Sequence, residues 1–386
     1  MGELSGPGVA ARAVALAALT RIERDSAYAN LVLPKALDRS RLDDADRRLV
    51  TELVYGTVRM RRACDWLVDR YLVRPPALEG RNALRLGAYQ LAFFRVPAHA
   101  AVASTVGATS QRYRGLVNAV LRKVAGELRS RPVDELAWPD DATRLSYPDW
   151  IVERLVADLG AEPGRAALVA MNEPPSVDRR HDGYVQDRAS QWVTELVGGL
   201  PGEVVADLCA APGGKATGVA RGGARVVAGE LHLARARLLA RNGRDLHLRS
   251  LSVVAADGTA APLRSGCADR VLVDAPCSGL GALRHRPDAR WRIEPDALDR
   301  LASLQQRLLV EAARVVRPGG VVVYSVCTLT DRETVSVDRW LQAEMPGLEA
   351  IDRPSAPWGP LGRGARLLPQ QDGTDGMAVF RYRKRA

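Results

Sequence analysis

No stretch of 18 apolar residues free of charge occurs in this 386-residue chain, so no membrane-spanning helix is expected. Cysteine is rare: five residues, odd in number and scattered, make no disulfide framework. No CxxC or Cys/His cluster offers a zinc set, so no metal is expected. That usage fits a reducing, cytoplasmic location. The first residues, Met1 to Pro7, lack a basic segment followed by an apolar one, so a secretory signal is not expected either. At its main glycine turn the chain has neither GxGxxG nor GxxxxGK[ST], which disfavours a dinucleotide and a P-loop. No internal repeat is found. What is present is ordinary for a soluble globular protein, 47% hydrophobic and 26% charged residues. The length allows two or three domains with a large core.

The charge is unevenly placed. Of a net +10, residues 1–130 carry 21 Lys/Arg against 12 Asp/Glu, which leaves the rest of the chain near neutral. Almost all the positive residues are Arg. A basic region joined to a neutral one suggests a grip on a polyanion beside a chemistry module. The competing reading is a solvated helical surface decorated with Arg.

Residues 9–130 read as successive amphipathic helices with no alternating strand pattern. Val9–Ile22 has helical spacing, and Asp43-Asp44 can cap a long helix running through Leu49, Leu53, Val54, Val58, Trp66 and Leu67. Pro75-Pro76 interrupts the pattern. Leu84–Phe94, His99–Arg112 and Leu116–Leu128 follow. A Pro/Asp-rich linker, Pro132 to Pro148, leads to two short helices, Trp150–Leu159 and Glu162–Met171.

From Val204 the pattern becomes strand–helix alternation. Val204–Leu208, Val226–Gly229, Leu251–Ala255, Arg270–Asp274 and Val321–Ser325 are apolar runs, separated by helical segments Thr217–Arg221, Leu233–Asn242 and Asp296–Val316. Such runs predict a parallel sheet covered on both faces. Gly376–Arg383 reads as an edge strand.

The first strand leads into Asp207-Leu208-Cys209-Ala210-Ala211-Pro212-Gly213-Gly214-Lys215, a strand end, a tight glycine turn and a helix start. Paired glycines let a backbone approach a ligand that meets the free N–H groups of a helix start. Polar residues close the five strands in order: Asp207, Glu230, Asp257, Asp274 and Cys327. In a doubly wound sheet these ends line one crevice. Glu230, 23 residues after Asp207, suits a ribose diol, and Asp257 can orient an adenine ring. With only Lys215 basic at the turn, a nucleoside cofactor without phosphates fits, and S-adenosylmethionine is the expectation.

Cys277, in Asp274-Ala275-Pro276-Cys277-Ser278-Gly279, and Cys327, in Tyr324-Ser325-Val326-Cys327-Thr328, both follow strands that flank the crevice. Cys64, Cys267 and Cys209 read as packing residues. Two thiols beside a methyl donor suggest pyrimidine C5 chemistry. The C5 carbon is too weak a nucleophile until a thiolate adds at C6, and a base must then remove the C5 proton so that the thiol can leave. That requires a thiolate and a group on the N3/N4 edge, for which Asp274 is placed.

The stretches Asp207–Lys215 (DLCAAPGGK), Asp274–Gly281 (DAPCSGLG), Arg286-Pro287-Asp288 with Trp291, and Tyr324–Leu329 (YSVCTL) resemble the Nop/Sun family of RNA cytosine-5 methyltransferases, above all its RsmB type (Sun or Fmu) acting on small-subunit ribosomal RNA. Gln186-Asp187-Arg188-Ala189-Ser190 is similar to the family's QDxAS. Leu84–Gln90 and Val117–Arg122 resemble the NusB-like RNA-binding domain of RsmB enzymes.

The resemblance implies an all-α NusB-like domain over 8–130, a linker with a shortened RNA-gripping subdomain over 131–183, and an α/β Rossmann-like class I methyltransferase domain over 184–386 with a mostly parallel seven-stranded sheet. It implies Cys327 as nucleophile, Cys277 assisting release, Asp274 contacting the cytosine, and Lys215 completing the catalytic set. Asp207, Cys209, Ala210, Ala211, Pro212, Gly213, Gly214, Lys215, Glu230, Asp257 and Asp274 would hold S-adenosylmethionine. The implied partner is RNA, gripped by the basic N-terminal domain, and a monomer is expected.

The chain departs from the family pattern in four places. Almost nothing remains between Pro175 and Gly183 where the family has a subdomain. Ala103-Ser104 replaces an Asn-Glu pair. Val326 and Gly229 replace Thr and Asn. Asp375-Gly376-Met377-Ala378 lacks the usual aromatics. Two further readings stay open: the same methyl-transfer core acting on another RNA, a small molecule or a peptide, and a non-catalytic RNA-binding assembly factor.

Overall fold

The computed structural model describes residues 8–94 and 96–386. Two units emerge, one holding the chain up to Val152 together with Arg286–Arg292, the other Glu153–His285 with Ile293–Ala386.

In the first unit the apolar stripes of the sequence become helices α1 (Val9–Arg24), α2 (Ala29–Asp38), α3 (Asp44–Arg59), α4 (Arg61–Asp69), α5 (Leu78–Ala92), α6 (Ala98–Ala108), α7 (Gln111–Ser130) and a short α8 (Asp141–Leu145). Asp43 caps α3 by accepting from the Asp46 N–H at 2.8 Å. The long helix expected to continue through Leu67 breaks at Met60 (φ −96°, ψ 24°). The break lets Leu53 and Val54 on α3 and Cys64 and Leu67 on α4 all enter one core. The segment expected to be one helix over His99–Arg112 is likewise interrupted, by Thr109-Ser110 between α6 and α7. α5 is buried on nearly every side (Ala83, Leu84, Leu86, Ala88, Tyr89), as befits the centre of a bundle. Trp291, far downstream in sequence, donates from Nε1 to Val58 O at 2.8 Å. Arg290 is fully buried, 3.8 Å above the Tyr147 ring, and donates to Ser146 O at 3.1 Å. Burial lowers its pKa to about 10.

The second unit is built on one sheet. Its strands are β1 (Val204–Asp207), β2 (Arg225–Glu230), β3 (Leu251–Ala255), β4 (Ala268–Asp274), β5 (Val316–Val326), β6 (Leu348–Ala350), β7 (Gly359–Leu361), β8 (Gly364–Leu367) and β9 (Met377–Lys384). Helices α9 (Asp149–Leu159), α10 (Ala161–Ala170) and α11 (Arg188–Val197) precede the sheet. α12 (Gly214–Arg221), α13 (Leu233–Asp245), α14 (Ala297–Val315), α15 (Val335–Glu344) and the short α16 (Pro369–Asp372) lie between strands.

The strand order is β3-β2-β1-β4-β5-β9-β8-β7, with β6 also beside β9. The first five strands are parallel, as the continuous Val/Leu runs predict, and β9 pairs antiparallel with β5. The chain order reverses between β1 and β4, the switch point where open α/β sheets bind ligands. Alternate residues feed two cores: Val271, Val322 and Tyr324 pack with Leu308 and Ala312 of α14, while Val205, Leu272 and Val323 pack with Val193 and Val219 of α11 and α12. This is the α/β, mostly parallel, doubly covered sheet expected from the alternation.

Two details differ. The sheet has nine strands where seven were expected, the additional ones being short. β9, expected at the edge, is interior: β5 pairs with one side, and β8 and β6 with the other. Its Ala378, Val379, Phe380 and Tyr382 are all buried, which an apolar run without alternation signals.

Candidate active site

β1 ends in Asp207, and the chain turns through Gly213 into α12. Gly213 has φ +112°, and a Cβ there would lie 2.3 Å from Leu239 Cδ1, so only glycine makes this turn. Oδ1 of Asp207 accepts from Cys209 N–H at 3.2 Å, whereas Oδ2 is buried with no hydrogen-bond partner. Burial, reinforced by the nearby Asp274 charge, pushes the Asp207 carboxyl up to about 7. Burial also pushes the Cys209 thiol up, in keeping with a packing role. Ala210 and Ala211 are buried and Pro212 is exposed.

Glu230 closes β2, 4% exposed. Oε1 accepts from His232 N–H at 2.9 Å, and Oε2 is 3.7 Å from Arg235. Asp257, just past β3, is exposed. Its Oδ1 accepts from the Thr259 N–H and hydroxyl, both at 2.8 Å, which hold its pKa down.

The ends of β4 and β5 supply the remaining groups. Asp274 Oδ2 is 2.8 Å from Lys215 Nζ, and Oδ1 accepts from Ser325 Oγ at 2.7 Å. Lys215 Nζ also reaches Ser190 Oγ at 3.3 Å. Burial opposes the lysine's charge, but the Asp274 carboxylate outweighs it and raises the pKa. Cys277 Sγ and Cys327 Sγ are 3.4 Å apart. The two thiols are driven in opposite directions. The hydrogen bond from Cys277 lowers the Cys327 pKa against burial and the Asp274 charge, with Lys215 helping. The same bond, with burial, raises Cys277 well above the usual thiol range. The pair is therefore unequal, with Cys327 the more readily ionised of the two thiols. Of the residues expected from sequence, Lys215 pairs with Asp274 and Cys277 with Cys327, while Asp207 feels Asp274 and Lys215, and Cys327 feels the same pair, through their charges.

Three features were missed from sequence. Glu333, fully buried, accepts from Ser278 N–H (2.8 Å), Ser278 Oγ (2.5 Å) and Thr330 Oγ1 (3.0 Å), joining the loops that carry the two cysteines. Its signal was the Thr-x-x-Glu spacing from Thr330. Ser190 and Ser325, inside recognised motifs, orient Lys215 and Asp274. Asp187, His285 and Asp375 converge from three separate segments, and no local pattern predicts that meeting.

Two family models match the chain: 16S rRNA methyltransferase RsmB/F over residues 198–383, and the NusB family over 9–126. Among curated proteins, a ribosomal RNA small subunit methyltransferase B of Thermus thermophilus is 35% identical, covering 97% of each chain. A putative methyltransferase of Mycobacterium tuberculosis is 36% identical over 97% of this chain and 96% of its own length. That alignment spans 447 positions against 386 residues here, so the relative carries segments this chain lacks. The solved structure of PH0851 superposes with a TM-score of 0.78 at 21% identity, covering 98% of this chain and 99% of its own, a likeness of fold. A helical NusB-like region, a parallel sheet with its switch point at a glycine turn and a near-full-length match to RsmB proteins agree: the chain belongs to the RsmB/F family of 16S rRNA methyltransferases.

Proposed function

We propose that this protein methylates C5 of a cytosine in RNA, most simply small-subunit ribosomal RNA, with S-adenosylmethionine as methyl donor and Cys327 as covalent nucleophile. The observation that carries the reading is the thiol pair, 3.4 Å apart and driven in opposite directions beside the Asp274–Lys215 ion pair. A cysteine that serves only to pack has no need of that asymmetry.

Two observations favour the cofactor. The buried Oδ2 of Asp207 lacks a hydrogen-bond donor, and the Gly213 turn leaves free N–H groups at the start of α12. Lys215, the one cation within the sequence of the turn, is engaged by Asp274 rather than left free for a phosphate. Glu230 would hold the ribose and Asp257 the adenine edge, with Cys209, Ala210, Ala211, Pro212 and Gly214 forming the wall. The chemistry this cofactor supplies when bound is an electrophilic methyl group.

Cys327 Sγ adds to C6 of the cytosine, forming a C–S bond and moving electron density onto C5. Asp274 faces the N3/N4 edge, and Lys215 fixes the orientation of that carboxylate. After C5 is methylated, a solvent base takes the C5 proton, that C–H electron pair restores the ring double bond, and the C6–S bond breaks to return the Cys327 thiolate. Cys277, held protonated at neutral pH, hydrogen-bonds the departing Cys327 thiolate, which is how it assists release.

The test is a pair of variants. Cys327→Ala is expected to abolish methyl transfer while S-adenosylmethionine affinity stays within about twofold; retained activity overturns the nucleophile assignment. Cys277→Ala is expected to accumulate a protein–RNA adduct that survives a denaturing gel. The segments that the relatives carry and this chain lacks favour one second reading, the same chemistry on a different RNA. Bisulfite sequencing of RNA from cells with and without the gene separates the two.

A further inference from the structure

One cluster of side chains has no part in the proposed reaction. Asp187 caps α11, His285 lies in the connection after β4, and Asp375 stands two residues before β9. One ligand atom from each lies within 4.8 Å of the others. His285 Nε2 is 3.8 Å from Asp187 Oδ2 and 3.6 Å from Asp375 Oδ1, too far for hydrogen bonds. Asp375 is only 7% exposed, and its Oδ1 meets no donor. His285 Nε2 is likewise buried without a hydrogen bond, its contacts being the two long carboxylate approaches. Asp187 uses Oδ1 to accept from Ala189 N–H at 2.8 Å, and its Oδ2 takes only a long 3.3 Å contact from Asp375 N–H.

A buried carboxylate oxygen and a buried imidazole nitrogen left without hydrogen bonds are each costly, and one shared ligand relieves both. The nearby cations make hydrogen bonds and ion pairs elsewhere. Arg284 spends its guanidinium on the carbonyls of Gly373 (2.6 Å) and Thr374 (3.3 Å), and Lys215 is held by Asp274. We propose that Asp187, His285 and Asp375 form a divalent-cation site. One imidazole nitrogen with two carboxylate oxygens suits a first-row ion such as Mn(II) or Zn(II). Metal–ligand bonds of about 2.0–2.2 Å place ligand atoms roughly 3–4.4 Å apart, so the observed triangle needs only slight contraction. His285, whose side chain is 35% exposed, leaves a path for the ion.

The ion would act on the wall of the thiol pocket rather than in the chemical step. Each ligand sits in a segment that also reaches the pocket. Asp187 lies three residues before Ser190, which meets Lys215. His285 follows Gly281, whose N–H donates to Cys327 O at 3.0 Å. Asp375 precedes Gly376, whose N–H donates to Gly281 O at 2.8 Å. Fixing the three side chains to one ion would fix the spacing of these segments.

The probe is Mn(II), a hard ion that ignores the thiol pair, titrated by electron paramagnetic resonance into full-length, chelator-stripped protein. One site per chain is expected. Removing even an outer-shell partner of a metal typically costs about ten- to a hundredfold in affinity, so His285→Ala and Asp375→Asn should each weaken binding by about tenfold or more. Should Asp375→Asn fail to fold, the half-exposed His285 still provides the comparison. Absence of a single Mn(II) site in the wild-type protein overturns the proposal, as would appear if a protonated imidazole simply bridges the two carboxylates. Unchanged Mn(II) affinity in His285→Ala overturns it too. The outcome does not depend on which nucleotide is methylated.

Discussion

Cys277 and Cys327 are the same residue type 3.4 Å apart, and their inequality comes from their neighbours. Their mutual hydrogen bond lowers the Cys327 pKa, with the field of Lys215 helping, and raises that of Cys277. Replacing Cys277 by Ala removes the largest influence lowering the Cys327 pKa, so alkylation of Cys327 should move to higher pH. Mass-spectrometric rates across a pH series check this, and an unmoved profile would mean the bond is idle. Asp207 offers a second test. Its folded-state pKa of about 7 lies above the value near 3.9 of an unfolded chain, so the folded state holds the proton more tightly. That contribution to stability is complete below about pH 4 and is lost as pH rises through about 7. The cofactor-free Asp207→Asn variant should therefore melt above wild type at pH 8, with the gap closing toward pH 4. The same variant should bind S-adenosylmethionine more weakly, a trade of function for stability. Scanning calorimetry and titration calorimetry read the two effects.

At the scale of elements, loops matter more than strands. The segments after β4 and β5 carry the thiols, and the buried Glu333 gathers them. Glu333→Ala would leave the Ser278 N–H and the Ser278 and Thr330 hydroxyls without their acceptor. At about 1–3 kcal/mol for each buried group stranded, a loss of roughly 3 kcal/mol or more is expected in denaturant unfolding. The thiol asymmetry should weaken with it. Gly213→Ala meets both the +112° φ and Leu239, and about 1–3 kcal/mol of strain should appear together with loss of cofactor affinity. A change in stability alone would mean that the turn only shapes the sheet. The element pattern was readable wherever periodicity was sustained: all five parallel strands and the helices after β1, β2 and β4 lie where the runs indicate. The break at Met60 and the interior place of β9 were not, because a helix pattern is blind to which two faces must meet and an apolar run does not say how many neighbours it has.

On the whole-molecule scale, residues 1–130 carry +9 of the net charge of +10. If RNA is the acceptor, affinity should fall linearly on log–log axes with salt, with a slope of about 0.7–0.9 per phosphate neutralised. A flat response would favour a small neutral acceptor. Among the described residues, no helix is long and apolar enough to cross a membrane.

By itself the sequence determined the classes of element, the glycine turn and the identity of the groups at the strand ends, because these follow from local periodicity and from residues only certain chemistries require. Motifs named the two cysteines, Asp274 and Lys215 before any coordinates. Only the tertiary structure decided how those groups act on one another: that the two thiols are driven in opposite directions, why Asp207 resists ionisation, how Glu333 ties two loops, and that Asp187, His285 and Asp375 meet. Those properties depend on burial and on distances of a few ångströms between residues separated by up to 188 positions, and no local pattern encodes them.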